Sequence, residues 1–250
     1  MARASIRRVE QSAAGPAVAP RIDALAWDAM AASLDKSGYA TTGPLLDADA
    51  CAALIDAYSD AKRFRSRIVM QRHAFGRGEY QYFDYPLPPV VTDLRQALYP
   101  HLAPLANRWN EHLRLDTRFP PSLQVYLKQC HAAGQTRPTP LMLKYGADDF
   151  NCLHQDLYGP FVFPLQATIL LSDPERDFSG GEFLLVEQRP RAQSRAEVVP
   201  LRQGEAVIFA VNHRPVQGSR GFYRGALRHG VSRVRSGGRY TLGIIFHDAA

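Results

Sequence analysis

The hexapeptide Asn151-Cys152-Leu153-His154-Gln155-Asp156 carries the main chemical signal of this sequence. In an extended chain, side chains at positions i and i+2 point to the same side, so His154 and Asp156 can face one point while Gln155 turns away. An imidazole and a carboxylate are two of the three protein ligands in facial-triad metal sites, which leave further coordination positions open. The pattern therefore predicts a metal site that needs a third ligand from elsewhere in the chain.

The third ligand is sought among three histidines further along the chain, His213, His229 and His247. His229 is followed ten residues later by Arg239, which opens an apolar, strand-like run. A guanidinium binds a carboxylate through two parallel hydrogen bonds, and Thr241 on the same face adds a hydroxyl donor. This arrangement suits a dicarboxylic acid that is bound to the metal at its other end. His213 is not followed by such an arginine at a matching distance, and no residue after His247 could bind the carboxylate. His229 is therefore the predicted third ligand.

Composition and charge limit the class of protein and the kinds of partner. The 250 residues suffice for one domain with a sizeable core, and 46% hydrophobic with 22% charged residues is typical of a soluble protein. A net charge of +6 favours anionic partners without choosing among them. Three cysteines without a CxxC spacing argue against a disulfide framework and a structural zinc site, which favours a cytoplasmic location. The sequence has no apolar run of the roughly 20 residues that span a bilayer.

Periodicity divides the chain into a helical part and a β-rich part. Residues 1–20 are predicted to form a flexible tail, and residues 21–140 a helical support. Predicted helices cover 22–34, a stretch after the N-cap Asp47, and 94–113, where Pro100 and Pro104 predict a break or kink. From residue 141 onward, short apolar runs alternate with turn residues. Five strands are predicted there, at 141–145, 167–171, 182–186, 206–211 and 240–246, and a further strand is predicted to begin at His229.

The set His154-x-Asp156, His229 and Arg239 resembles the 2-oxoglutarate/Fe(II) dioxygenase superfamily. The segments 179–183 and 203–209 resemble a middle turn and a late strand of the same fold. The resemblance implies a mainly β fold with α-helices: a double-stranded β-helix, or jelly-roll barrel, over residues 141–248, with supporting N-terminal helices in one domain over 21–250. It also implies Fe(II) on His154, Asp156 and His229, and the co-substrate 2-oxoglutarate on Arg239 and Thr241.

A narrower resemblance concerns the substrate. Tyr145 lies nine residues before His154. AlkB-type nucleic-acid demethylases have a tyrosine at the same distance before their first histidine, and it hydrogen-bonds the co-substrate. The whole chain is similar to a bacterial family of oxygenases for the oxidative demethylation of damaged DNA. The stretches that carry this similarity are 72–85, 134–140 and 181–195. The resemblance implies methylated DNA or RNA as the partner and DNA repair as the role.

Two positions depart from the AlkB-type pattern. Ile245 stands where a second arginine is expected, and Leu143 stands where an asparagine is expected. The Gly180-Gly181-Glu182 turn is closer to prolyl-hydroxylase-type members. A hydroxylase of a protein side chain or a small metabolite therefore stays open, as does a cupin-like barrel that binds a ligand without turnover. The sequence leaves the oligomeric state open as well.

Charge and aromatic residues bear on the same question. Residues 189–239 hold eleven arginines and two glutamates, and residues 61–77 hold six cations and no acid. Aromatic residues lie near the second group, namely Phe64, Phe75, Tyr80, Tyr82, Phe83 and Tyr85. Cations for phosphates and rings for an unstacked base are what a base-flipping enzyme needs. Solvated arginines and core aromatics explain the same pattern equally well, so both interpretations stand.

Overall fold

Strands dominate the part of the chain that the structure, a computed structural model, describes: residues 18–157 and 159–250. The helices of these residues are α1 (Val18–Asp23), α2 (Trp27–Ser37), α3 (Ala48–Ala57), α4 (Pro89–His112) and α5 (Leu123–Ala132), with short 3-10 turns at Ala61–Arg63 and Met70–His73. The first strands are β1 (Tyr39–Pro44), β2 (Phe64–Val69), β3 (Gly76–Arg77), β4 (Glu79–Phe83), β5 (Leu141–Tyr145), β6 (Phe150–His154) and β7 (Leu165–Leu170). The later strands are β8 (Phe178–Gly180), β9 (Phe183–Gln188), β10 (Arg195–Val199), β11 (Glu205–Ala210), β12 (His213–Gly218), β13 (Gly221–Val231), β14 (Val234–Gly237) and β15 (Arg239–Ile244).

Two main antiparallel sheets form the barrel. The larger sheet has the order β1-β11-β7-β15-β5-β4-β2, and the smaller has the order β10-β9-β13-β6-β3, with β12 paired to β13. The register brings residues from distant parts of the chain together: His229 lies opposite His154, and Arg239 lies opposite Tyr145. Neighbours in these sheets are mostly not consecutive in the chain, as a jelly-roll fold requires.

One face of the larger sheet lines an internal cavity. The cavity-facing residues follow the two-residue period of extended strands: Tyr80 and Tyr82 on β4, Leu141, Leu143 and Tyr145 on β5, Gln166 and Thr168 on β7, and Arg239, Thr241 and Gly243 on β15. The smaller sheet contributes the opposite wall through β6, β9 and β13. The alternation of side chains thus builds the cavity between the two sheets.

The opposite face of the larger sheet packs on the helices. Met142, Ala167, Ile169, Leu242 and Ile244 lie in the main core cluster together with the buried side chains of α4. On α4, apolar residues three or four positions apart form the buried stripe, namely Val91, Leu94, Leu98, Leu102, Leu105 and Trp109. The helices therefore support the sheet from outside and leave its other face to the cavity.

All five strands predicted in the β-rich part are confirmed: the strand predicted at 141–145 coincides with β5, and the ends of the other four are shifted by one or two residues. Asp47 is the N-cap of α3, and its side chain accepts a hydrogen bond from the backbone N–H of Ala50 at 2.9 Å. The segment 94–113 is helical, but the helix begins at Pro89 and runs through Pro100 and Pro104, so the predicted break is not observed. The long buried stripe of α4 holds the helix on the sheet although the two prolines donate no backbone hydrogen bond.

Three further expectations need correction. Residues 18–20 belong to α1 and not to a tail, because Val18 and Ile22 are buried in the core; residues 1–17 lie outside the described residues. Residues 21–140 are not only helical, since β1, β2, β3 and β4 join the sheets; these strands are short, and β2 is rich in arginine, which hides their period. His229 lies near the end of the eleven-residue strand β13, not at its beginning.

None of the helices in the described ranges is long and apolar enough to cross a membrane.

Candidate active site

His154, Asp156 and His229 meet in the cavity between the sheets, which has a volume of about 330 Å³. His154 is the last residue of β6, Asp156 follows two residues later, and His229 comes from the neighbouring strand β13. One potential ligand atom from each lies within 4.8 Å of the others. Two imidazoles and one carboxylate that converge in this way fit the facial arrangement predicted for Fe(II).

The carboxylate of Asp156 lies between the two imidazoles. Its Oδ1 is 3.5 Å from Nε2 of His154, and its Oδ2 is 3.3 Å from Nε2 of His229. Burial by itself would raise the pKa of Asp156, but hydrogen bonds and the nearby charge of the two histidines hold its pKa well below the usual value. Asp156 therefore keeps its negative charge, as a metal ligand must.

Each histidine presents Nε2 to the same point. The Nδ1 atom of His154 is 2.8 Å from the carbonyl oxygen of Cys152, and a proton on Nδ1 leaves the Nε2 lone pair for a metal. Burial, and then the adjacent His154, lowers the pKa of His229, which favours its neutral form. Nδ1 of His229 is buried and has no hydrogen-bond partner among the described residues.

Gln166 on β7 completes the surroundings of the triad, although the sequence did not indicate it as a site residue. Its Nε2 donates to Oδ2 of Asp156 at 2.9 Å and lies 3.5 Å from Nε2 of His229. The side chain is buried and lies on the cavity-facing side of β7, as does Thr168. Polar residues at alternate positions of an otherwise apolar strand are the signal that would have revealed it.

Arg239 lies in the same cavity and is 2% exposed. Its Nε and Nη1 have no hydrogen-bond partner, and no carboxylate lies within 4.0 Å of it among the described residues. Its guanidinium lies 5.6 Å from the ring centre of Tyr145 and 5.8 Å from that of Phe178. Burial lowers the pKa of Arg239 to about 10. A buried cation without an acidic partner fits a ligand that brings its own carboxylate.

Two predicted neighbours of Arg239 lie where the strand pattern places them. Thr241 is buried on the same face of β15, two residues further along, and lines the cavity. Tyr145 is the cross-strand partner of Arg239, and its hydroxyl accepts a hydrogen bond from Nδ2 of Asn151 at 3.3 Å. Asn151 also lines the cavity, so this asparagine is a second polar site residue that the sequence pattern did not predict.

Gly181 leaves the space through which the Arg239 side chain passes. A Cβ at this position would lie 2.9 Å from Cδ of Arg239 and 2.9 Å from Cγ2 of Val234, and the backbone has a φ of +64°. A residue without a Cβ is therefore needed at position 181, both for the backbone conformation of the turn and for the path of the Arg239 side chain.

The other two candidate ligands lie outside the cluster of potential metal ligands among the described residues. His213 begins β12, and His247 is buried, with Nδ1 accepting the backbone N–H of Phe163 at 3.2 Å. Ile245 is buried beside Tyr82 and Leu141, and its carbonyl accepts a hydrogen bond from Nε of Arg95. Leu143 lines the cavity and makes that wall apolar.

The sequence model of the family Oxygenase-NA, described as "Oxygenase, catalysing oxidative methylation of damaged DNA", matches residues 78–249. All six of the predicted site residues lie in this range. The chain belongs to this oxygenase family.

Relatives and structures agree with this membership. Two uncharacterized proteins of Mycobacterium tuberculosis, from strains CDC 1551 / Oshkosh and ATCC 25618 / H37Rv, are each 58% identical over 168 residues, which is 67% of this chain and 72% of theirs. A prolyl-4-hydroxylase of Pseudomonas putida is 15% identical with a TM-score of 0.51, and covers 90% of this chain and 99% of its own. A 2OG-Fe(II) oxygenase family oxidoreductase of Burkholderia pseudomallei is 18% identical with a TM-score of 0.51, over 90% of this chain and 93% of its own.

The two structural similarities show that this oxygenase has the jelly-roll fold of 2-oxoglutarate/Fe(II) enzymes. Its cavity offers two imidazoles, a carboxylate and a buried, unpartnered guanidinium. Family, fold and donor set together identify a 2-oxoglutarate-dependent dioxygenase with Fe(II) and 2-oxoglutarate as cofactors.

Proposed function

We propose that this oxygenase removes methyl groups oxidatively from alkylated nucleic acid, and that His154, Asp156 and His229 hold its iron. The observation that carries the proposal is a cavity with this triad on one side, a buried arginine on another and aromatic rings along its wall. The family description supports the same substrate class.

In the proposed mechanism, Nε2 of both histidines and one carboxylate oxygen of Asp156 bind Fe(II). Bound iron supplies activation of O2, which oxidises 2-oxoglutarate to succinate and carbon dioxide and hydroxylates a C–H bond of the substrate. The protein would hold the metal from one side only, because His154 ends β6, Asp156 lies two residues beyond it, and His229 is on the neighbouring strand β13. The open side faces the rest of the cavity, where co-substrate and substrate meet.

Arg239 is the proposed partner of the distal carboxylate of 2-oxoglutarate. Its unpartnered Nε and Nη1 suit a fork of two hydrogen bonds, and Thr241 adds a hydroxyl donor on the same strand face. The hydroxyl of Tyr145, held by Asn151, is the third proposed contact. Leu143 and Phe183 make parts of the cavity wall apolar and would limit the access of water to the bound co-substrate.

The nucleic-acid substrate is supported by the mouth of the cavity. Phe75 is 49% exposed, stacks with His73 at 5.3 Å between ring centres, and lines the cavity together with Tyr80 and Tyr82. A base that leaves its place in the nucleic-acid stack can stack on such rings instead. Hydroxylation of an N-methyl carbon gives an N-hydroxymethyl group, which breaks down to formaldehyde and the unmethylated base, so the reaction is a demethylation.

The charged residues divide between structural and substrate roles. Arg214 is buried against Glu187 at 2.6 Å, and Arg189 contacts the same carboxylate at 2.8 Å. Arg63 pairs with Asp60, and Arg67 pairs with Glu79. These arginines stabilise the fold or are neutralised locally, so fewer cations are free for phosphates than the sequence count suggests. Phe64 and Phe83 likewise stack in the core, whereas other rings of the group line the cavity.

The alternative substrate is a protein side chain or a small metabolite. It is favoured by Ile245, a buried apolar residue beside Tyr82 where a second arginine was expected. Without that arginine, this position supplies no cation for an anionic substrate. The two classes differ in charge, because only nucleic acid carries a phosphate backbone.

The test has two levels. Purified protein with Fe(II), 2-oxoglutarate and O2 should release carbon dioxide, and His229→Ala should abolish this, whereas His213→Ala, outside the triad, should leave it unchanged. With N-methylated single-stranded oligonucleotides, one formaldehyde should form for each succinate above the uncoupled background. Full carbon dioxide release by His229→Ala would contradict the ligand assignment. Carbon dioxide release by the wild type without formaldehyde from methylated DNA or RNA would contradict the substrate.

A further inference from the structure

A second cleft is lined by residues of β2 and of the loop before β5. It has a volume of about 390 Å³, and the residues that define this arginine cleft are Arg65, Ser66, Asp84, Thr136 and Arg137. Arg65 is on β2, the edge strand of the larger sheet, and Arg137 is in the loop before β5. The cleft is thus formed by two segments that are far apart in the sequence.

Neither arginine of the cleft forms an ion pair with an acid of the described ranges, although the charges of Asp84 and Asp248 act to raise the pKa of Arg65. Among the described residues, no carboxylate lies within 4.0 Å of either guanidinium. Nε of Arg65 donates to the carbonyl oxygen of Pro138 at 2.9 Å, which fixes the guanidinium and leaves both of its Nη atoms without an acceptor in the described part of the protein. Burial, and to a smaller extent the charge of Arg137, lowers the pKa of Arg65, as expected for two neighbouring cations.

The other polar groups of the cleft fit a phosphate in part. The hydroxyls of Ser66 and Thr136 make no hydrogen bond within the described residues and line the same space. Asp84 is the one acid among the described residues that line the cleft, and its Oδ1 accepts the backbone N–H of Tyr85 at 2.8 Å. The cleft therefore offers two cations and two hydroxyl donors against one carboxylate, which leaves a net attraction for an anion.

Tyr82 connects the arginine cleft to the active site. Its ring lines the catalytic cavity, and the guanidinium of Arg65 lies over that ring, 4.6 Å from its centre. A strand whose base enters the cavity along Tyr82 would bring a neighbouring phosphate to Arg65. We propose that the arginine cleft binds a backbone phosphate of the nucleic-acid strand next to the methylated nucleotide. This inference rests on the proposed function and adds the path of the strand outside the cavity.

The experiment measures the affinity of the full-length protein for a labelled single-stranded oligonucleotide with one N-methylated base, across a range of salt concentrations and without O2. For a single strand, removing one cation that neutralises a phosphate reduces the slope of log K against log salt by about 0.7. Arg65→Gln and Arg137→Gln should each reduce the slope by about this amount and weaken binding about threefold to tenfold. Arg63→Gln removes one charge that Asp60 already neutralises, and it should leave both quantities unchanged. Asp84→Asn should strengthen binding, because it removes the acid of the cleft.

Two further measurements separate the explanations. The N-methylated nucleoside, which has no phosphate, should be demethylated at the same rate by Arg137→Gln and by the wild type. Micromolar inorganic phosphate, added at fixed ionic strength, should not displace the oligonucleotide. If it displaces the oligonucleotide from the wild type but not from the arginine variants, the cleft binds free phosphate and the inference is wrong. Equal slopes for the wild type and both arginine variants overturn the inference alone. A wild type that binds no oligonucleotide in a salt-dependent manner while it decarboxylates 2-oxoglutarate overturns the proposed substrate as well.

Discussion

His154 and His229 are cross-strand partners in the antiparallel pair of β6 and β13, with ring centres 4.2 Å apart. Residues directly opposite each other on an antiparallel pair point to the same side. Asp156, two residues after His154, continues on that side and contacts both rings. One strand pairing therefore brings together proposed metal ligands that are 75 positions apart in the sequence.

Arg239→Met should weaken 2-oxoglutarate binding by about 2 kcal/mol or more, roughly thirtyfold, because the distal carboxylate loses its cation. The same variant should be more stable than the wild type by about 1–3 kcal/mol in the absence of ligand, since a buried guanidinium without a partner is removed. Titration of 2-oxoglutarate and urea unfolding measure the two effects. Arg228→Met, an exposed arginine on β13, is the control and should change neither. Equal affinity for 2-oxoglutarate in Arg239→Met and wild type would contradict the assignment.

Binding of 2-oxoglutarate should also depend on pH through Arg239. Burial lowers the pKa of this guanidinium from 12.5 to about 10, so the protonated form that binds a carboxylate persists below pH 10 and is lost as the pH rises through 10. The dissociation constant should be flat from pH 7 to 9 and should rise about tenfold for each pH unit above 10. Isothermal titration in the range over which the protein stays folded measures this rise. A constant affinity through about pH 10.5 would show that Arg239 stays protonated or is not the contact.

Gly181→Ala should lower the affinity for 2-oxoglutarate, because the new Cβ would lie 2.9 Å from Cδ of Arg239 and displace its side chain. The positive φ of 64° adds a strain of about 1 kcal/mol, which urea unfolding would detect. Gly134→Ala separates the two effects: φ is +83° there, but nothing lies within 4 Å of the added Cβ. It should lose stability and keep its affinity for 2-oxoglutarate. Equal affinities of the two variants would show that Gly181 does not position Arg239.

Gln166→Leu should weaken Fe(II) binding about 10- to 100-fold, because its amide no longer orients the Asp156 carboxylate. Turnover at saturating iron should fall much less than iron affinity, since all three ligands remain. Anaerobic Fe(II) titration followed by decarboxylation at high iron measures the two quantities. Gln217→Leu, an exposed glutamine on β12 that bonds the carbonyl of Gly218, is the matched control. A loss of turnover that iron cannot restore would assign Gln166 to another role.

Asp248→Ala should destabilise the fold by about 3–5 kcal/mol, because Asp248 is fully buried and accepts hydrogen bonds from Arg95 at 2.7 Å and from Tyr85 and His131 at 2.8 Å. The variant leaves the buried Arg95 without its carboxylate, and combining it with Arg95→Met should recover part of the loss. Urea unfolding measures both. Asp23→Ala, which breaks an exposed pair with His101, should cost at most about 1 kcal/mol. A similar cost in the two aspartate variants would contradict a structural role for the buried network.

The sequence by itself determined the chemistry of the site. His154 and Asp156 are two residues apart on an extended segment, so their shared direction follows from the geometry of a strand. Arg239 and Thr241 share a face for the same reason, and the sequence also indicated Asp47 as an N-cap. These are local relations, which the chain specifies over a few residues. The jelly-roll assignment came from a resemblance in the spacing of these same residues.

The tertiary structure alone decided which distant groups meet. Gln166 and Asn151 contact the site because β7 and β6 face each other across the cavity. The alternate polar residues of β7 mark its cavity face, but only the packing of distant strands brings Gln166 to Asp156. The arginines of 61–77 and 189–239 look alike in sequence, yet pairing with Glu187, Asp60 or Glu79 neutralises some, whereas Arg65 meets Arg137 in a cleft. The strands within 21–140 were not predicted for a related reason: they are short, and neighbouring strands in the sheets stabilise them. Each short segment thus determines which side chains share one face of a strand. The antiparallel registers between distant strands determine which of these side chains come together in the site.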